Sequence, residues 1–202
     1  MADYISTLLL SFISIVVVNN LVLTKFLGTC PYLGVSDRID MAFGMGMAVT
    51  FVVTMAGALT WLVDYYVLKN PILVQYGLGV TNYICYIVII AGAVQLVEMY
   101  LMKFFPSLYE SFGIFLPLIT TNCVILGLCL FLNLWGIKDF ILAVVLSFGA
   151  GIGFTLAICI MAGIRENLAL SDVPKALKGV PITLITAGLM TLAFMGFTGM
   201  IK

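Results

Sequence analysis

The chain is written as long apolar blocks separated by short polar connections. A membrane-spanning helix needs roughly 20 apolar residues, and six blocks meet that length: Tyr4–Phe26, Met41–Leu68, Val80–Met102, Phe112–Leu134, Phe140–Ile164 and Ile182–Ile201. They predict an all-α integral membrane protein of six transmembrane helices. The connections leave no room for a soluble module, so residues 1–202 are expected to form a single membrane domain. The longest polar stretch, Arg165–Lys178, is expected to be a charged cytoplasmic loop.

Two of the blocks are broken, and the breaks share a phrase. Cys30-Pro31-Tyr32-Leu33-Gly34 is matched by Cys123-Val124-Ile125-Leu126-Gly127, so C-x-x-L-G recurs 93 positions on. At the same offset Leu23 meets Leu116 and Gly57 meets Ala150. The phrases divide the chain into two halves of three blocks, approximately 4–105 and 109–201. Three is odd, so the second half enters the membrane from the opposite side. The expectation is two inverted three-helix repeats with broken first and fourth helices, an arrangement that places buried sites at the repeat interface.

Composition agrees with a membrane location. The chain is 63% hydrophobic and 9% charged, against about 25% charged in a soluble domain. Net charge is zero and no basic block is present, so nucleic acid is not an expected partner. Without a histidine, the commonest proton shuttle and metal ligand is missing. The N-terminus opens with Asp3 and shows neither a basic region nor a small-residue cleavage site, so it is expected to remain as the first span. With six spans, Lys25, Arg38, Lys103, Arg165, Lys175 and Lys178 fall on one side and Lys69, Lys138 and Lys202 on the other. The richer side is expected to be cytoplasmic. Both termini then face outward.

The five cysteines, at 30, 85, 123, 129 and 159, lie in apolar stretches, which argues against a secreted disulfide framework. Cys30 and Cys123 differ from the others in standing beside breaks. Asn19, Asn20, Lys25, Gly28 and Pro31 surround the first, and Pro31 is expected to disfavour helix at Cys30. Pro117 and Thr120-Thr121-Asn122 precede the second. Unwound backbone at membrane depth needs cover by protein or a cavity, so both cysteines are expected inside the protein. The competing reading is that they are small buried apolar residues.

Thiols suit iron or zinc, but two do not complete a tetrahedral iron–sulfur site, which takes four. Cys129 lies six residues beyond Cys123, about 240° around a helix and about 9 Å along it, so it cannot readily join. Cys85 and Cys159 sit mid-helix with no breaker nearby and read as packing residues. Ligand counting therefore assigns the missing two cysteines to another chain. Lys25 is expected to offset the negative charge of such a cluster, the competing reading being a lysine that snorkels to the interface.

Small-residue faces at Ala42–Ala48 and Gly149–Gly153 are expected to serve internal packing. Asp64 and Glu98 stand near span ends, where interface placement competes with an ion-pathway role. No catalytic triad, acid pair or nucleotide motif is present, and no catalysis is expected from the isolated chain.

Several phrases carry a resemblance: Val18-Asn19-Asn20, Lys25-Phe26-Leu27-Gly28, Cys30-Pro31, Gly34-Val35-Ser36, Gly113 through Cys123, Ala162 through Glu166, Ser171 through Pro174 and Ile185 through Met190. The sequence resembles, end to end, the RnfA family of the Rnf electron transport complex. That family is related to the NqrE component of the sodium-pumping NADH:quinone reductase. The resemblance implies a six-helix component of a bacterial or archaeal cytoplasmic membrane, beside its homologue RnfE. A [2Fe–2S] cluster would be held by Cys30, Cys123 and two cysteines of that partner. The other Rnf components (RnfB, RnfC, RnfD and RnfG) would carry flavins and further iron–sulfur clusters. The implied complex is an ion-translocating ferredoxin:NAD oxidoreductase. A secondary transporter with inverted repeats and a cofactor-free scaffold are the alternatives; iron and sulfide content separates the first, and silent replacement of both cysteines would favour the second.

Overall fold

The computed structural model describes residues 2–68, 79–104, 118–119, 121–137, 139–174 and 177–199. Among them every regular element is helical. The chain opens with α1 (Ala2–Ile13), which runs into a π-helical turn, Ser14–Val18. A break at Asn19-Asn20 leads to two short helices, α2 (Leu21–Lys25) and α3 (Thr29–Gly34). Next come α4 (Ile39–Val63, continued by a π turn at Asp64–Leu68) and α5 (Gly79–Phe104). The second half holds α6 (Cys123–Leu134), α7 (Phe140–Ala169) and α8 (Val180–Met195), ending in a 3-10 turn at Gly196–Gly199.

Two of the helices are long and apolar enough to cross a membrane unaided, Ile39–Tyr66 and Phe140–Ala169. The second has 30 residues, so it rises about 45 Å, more than the roughly 30 Å of a hydrocarbon core. Their outward faces carry exposed Phe43, Met47, Phe51, Ile141 and Phe148. Such a surface is unfavourable in water and costs nothing against lipid tails.

The core lies where α4 and α7 cross the middle of the molecule. Ala42, Met45, Val49, Val53 and Ala56 of α4 bury against Phe154, Ala157, Ile158 and Met161 of α7. The helices are antiparallel, since Thr50 stands over Gly151 while Gly46, earlier in α4, stands over Thr155, later in α7. A Cβ at Gly151 would lie 2.6 Å from Thr50 Cα, and one at Gly46 would lie 2.5 Å from Thr155 Cγ2. Thr50 Oγ1 and Thr155 Oγ1 meet at 3.1 Å. Each is also within hydrogen-bond distance of the carbonyl four residues back, Gly46 O at 2.7 Å and Gly151 O at 3.0 Å. The Gly-x-x-x-Thr unit thus occurs once on each helix, and the two face each other across an approximate two-fold axis.

These equivalent places are 105 positions apart, not the 93 that separate the C-x-x-L-G phrases. The phrases differ in surroundings too. A Cβ on Gly127 would strike Leu27 Cδ1 at 2.6 Å, whereas Gly34 faces open space.

Two further expectations need correction. Arg165 and Glu166 are not in a loop; α7 carries them and continues to Ala169. No helix breaker intervenes before Pro174, and the extra turn projects beyond the span. Nor does Pro31 exclude helix at Cys30: Thr29, Cys30 and Pro31 form the first turn of α3, where a missing backbone N–H breaks no helical bond. Of the expected fourth span, Leu118 and Ile119 are helical and α6 begins at Cys123, while 112–117 and Thr120 lie outside the described residues.

Candidate functional site

The first break is built by Asn20. Its side-chain Oδ1 accepts the Val22 N–H at 3.0 Å, an N-cap for α2. Its Nδ2 donates to Val16 O (3.2 Å), closing the preceding turn, and to Gly153 O (2.7 Å), pinning the break to α7. Gly153 lets this happen, because a Cβ there would lie 3.2 Å from Asn20 Nδ2. Helix α2 ends at Phe26, which takes the left-handed conformation at φ 54°. Gly28 follows at φ 76° and opens α3. Two closely spaced reversals turn the chain sharply and expose Cys30 on the first turn of α3. Lys25 lies exposed in the last turn of α2.

The second break is capped in the same manner. Asn122 Oδ1 accepts the Val124 N–H at 3.0 Å and so starts α6 at Cys123. Gly28 joins the two breaks: its backbone N–H donates to Cys123 Sγ at 2.9 Å. Cα atoms are 3.8 Å apart along the chain, so Cys30 Cα lies within about 12 Å of that sulfur. Cys123 is half-buried and Cys30 exposed, and both are free thiols. The structure thus brings the two broken segments to one place. Cys30 is not inside this chain, contrary to the sequence expectation, because α3 turns it outward.

The remaining cysteines stand elsewhere. Cys129 is fully buried in α6 and accepts a hydrogen bond from Thr60 Oγ1 at 3.2 Å. Cys159 is half-buried in α7. Cys85 belongs to α5, but its side chain lies outside the described residues, as do those of Glu98, Lys69, Lys138, Lys175 and Lys202. Among the described residues no group of three or more Cys, Asp or Glu side chains gathers as a metal site.

Several polar residues organise this region through partners that the sequence did not reveal. Arg165 reaches from α7 to the segment after α3. It donates to Leu33 O (2.7 Å) and to the fully buried Ser36 Oγ (2.8 Å), and pairs with Asp37. Its neighbour Glu166 accepts the Ile39 N–H at 3.0 Å. Together they fix the end of the segment that carries Cys30. Farther off, Asp64 accepts from Asn133 Nδ2 (2.9 Å) and Tyr86 OH (3.4 Å), joining α4, α5 and α6.

Comparison with known proteins gives the family. The family described as Rnf-Nqr subunit, membrane protein, matches residues 8–201. The chain belongs to this Rnf-Nqr family. The A subunit of the Na(+)-translocating ferredoxin:NAD(+) oxidoreductase complex of Acetobacterium woodii is 53% identical over 194 residues, 96% of this chain and 98% of the relative. The A subunits of ion-translocating oxidoreductase complexes are similar too. That of Syntrophotalea carbinolica is 52% identical over 96% of this chain and 97% of its own. That of Psychromonas ingrahamii is 50% identical over the whole length of both. For an Rnf-Nqr chain, the breaks offer two thiols of soft-ligand chemistry and one backbone N–H already directed at a sulfur. That donor set fits half of an iron–sulfur site.

Proposed function

We propose that this chain is the RnfA component of an ion-translocating ferredoxin:NAD oxidoreductase (Rnf) complex and carries electrons through the membrane. Cys30 and Cys123 would supply half the ligands of a [2Fe–2S] cluster, and the homologous RnfE the other half. When bound, that cluster supplies a one-electron carrier at membrane depth. The observation that carries the reading is the Gly28 N–H donating to Cys123 Sγ at 2.9 Å, which ties the two cysteine-bearing breaks together.

The chain's own residues have distinct parts in this reading. Gly28 directs a dipole at a sulfur where negative charge is to be held. Lys25, at the end of α2, adds a positive charge near the same break and favours reduction. Arg165 and Glu166 hold the loop behind Cys30. Exposure of Cys30 supports a cluster shared across a boundary between two proteins rather than enclosed in one chain. The same reading has six spans in two inverted halves, both termini outward, and flavins with further iron–sulfur clusters on RnfB, RnfC, RnfD and RnfG.

Serine substitution tests it. Serine is nearly isosteric with cysteine but a harder and poorer iron ligand. In the assembled complex Cys30→Ser and Cys123→Ser should lose or alter the cluster, seen as iron content and as the paramagnetic spectrum after reduction. Cys85→Ser, Cys129→Ser and Cys159→Ser should leave both unchanged. An unaltered cluster in Cys30→Ser and Cys123→Ser, with assembly intact, would defeat the proposal.

A further inference from the structure

The two breaks are capped alike, yet their asparagines use the second amide nitrogen differently. Asn20 and Asn122, 102 positions apart, each accept the backbone N–H two residues ahead at 3.0 Å. That bond fixes which end of each carboxamide is oxygen, since the reverse would set two N–H groups against each other. Asn20 Nδ2 then donates to Val16 O and Gly153 O. Asn122 Nδ2 is buried, the residue being 3% exposed, and has no hydrogen-bond partner among the described residues.

Helix α4 differs from α7 at the corresponding place. With the 105-position offset of the central helices, the residue corresponding to Gly153 is Ala48. It carries the methyl that Gly153 lacks. The Asn122 carboxamide lies instead against Gly28, where a Cβ would come within 3.1 Å of Oδ1. Gly28 is also the residue whose N–H meets Cys123 Sγ. A buried amide donor without an acceptor is costly, and native proteins seldom leave one so.

We propose that Asn122 Nδ2 is a hydrogen-bond donor to an anionic sulfur of the cluster held in part by Cys123, and that it positions and tunes that cluster. This deepens the function proposed above and rests on it. A donor aimed at sulfur favours the more negative, reduced state and so raises the reduction potential. The donor has a counterpart in the chain, Asn20, whose Nδ2 is engaged internally with Val16 O and Gly153 O.

The test uses the assembled complex with asparagine labelled by 15N at the side-chain amide. Pulsed paramagnetic resonance on the reduced wild type should detect an amide 15N coupled to the cluster. Asn122→Asp, which keeps the capping oxygen, should abolish that coupling. Asn122→Ser should shift the cluster toward oxidation by about tenfold at fixed potential, about 59 mV for one electron. Asn133→Ser, an amide whose partners Asp64 and Tyr86 stand away from both breaks, should leave the potential unchanged. Absence of 15N coupling in the wild type overturns the inference, whether or not the variants assemble. Retention of the coupling in Asn122→Asp, or an unshifted potential in Asn122→Ser, also overturns it. A signal that survives Cys123→Ser unaltered defeats the underlying reading instead, so the two failures are distinguishable.

Discussion

Gly28 shows how one small residue can set a site. Its φ of 76° is in the region that side chains disfavour. A Cβ would also lie 2.5 Å from Val124 Cγ2 and 3.2 Å from Phe154 Cε2. Gly28→Ala therefore meets backbone strain and a clash together, and strain of this kind costs on the order of 1–3 kcal/mol. The substituted turn should back away from α6 and release Cys123 Sγ. The expected outcome is a lower melting temperature of the assembled complex and faster alkylation of Cys123 after cluster removal. Wild-type values for both would show that the contact does not organise the break. Gly34→Ala, which faces open space, is the matched control. At this scale the sequence was partly legible. Asn122 directly before an apolar run is an N-cap signal, yet its place beside a break masks that role. The partner of the Gly28 N–H was not legible at all, because it lies 95 positions away.

At the scale of elements, the contact between α4 and α7 governs the rest. Gly151 is opposed by Thr50 Cα, which is backbone and cannot rotate away. Gly151→Ala must push the helices apart, which loosens both the Thr50–Thr155 contact and the packing of Val49, Val53 and Ala157 around it. Small residues give membrane helices their close approach, so the expected result is loss of assembled complex in detergent extracts. Gly163→Ala on the same helix meets nothing within 4 Å and should assemble normally. Equal yields from the two variants would remove the close approach as a cause of stability. The sequence pattern located the long helices well: Phe140 starts α7 as expected, and α5 differs from its predicted bounds by one or two residues. Break positions were legible from Asn and Gly. The register between halves was not. The two Gly-x-x-x-Thr units are inconspicuous in the sequence, and their likeness is visible only once Thr50 and Thr155 meet. The length of α7 was also missed, since Arg165 and Glu166 look like loop residues until their partners at Leu33, Ser36, Asp37 and Ile39 are seen.

For the whole molecule, the antiparallel α4–α7 pair constrains topology. A two-fold axis that exchanges two antiparallel helices must run perpendicular to both. If α4 and α7 run along the membrane normal, an axis between Thr50 and Thr155 lies in the membrane plane, which is the arrangement the proposed inverted halves require. With the three spans per half proposed above, the C-terminus would return to the side of the N-terminus. Which side that is follows from charge. Arg38 and Arg165 stand at one end of the pair, at the start of α4 and near the end of α7. Lys178, just before α8, belongs to the same connection after α7. Short loops rich in Lys and Arg stay cytoplasmic, so the proposed reading predicts this end in the cytoplasm and both termini outside. A reporter active only outside the cytoplasm, fused after Lys202, should be active. The same reporter inserted after Asp172, between α7 and α8, should be silent. The reverse pattern would invert the molecule without disturbing the repeat. Activity at both positions would mean that α8 does not span, and the inverted three-plus-three arrangement would fall with it.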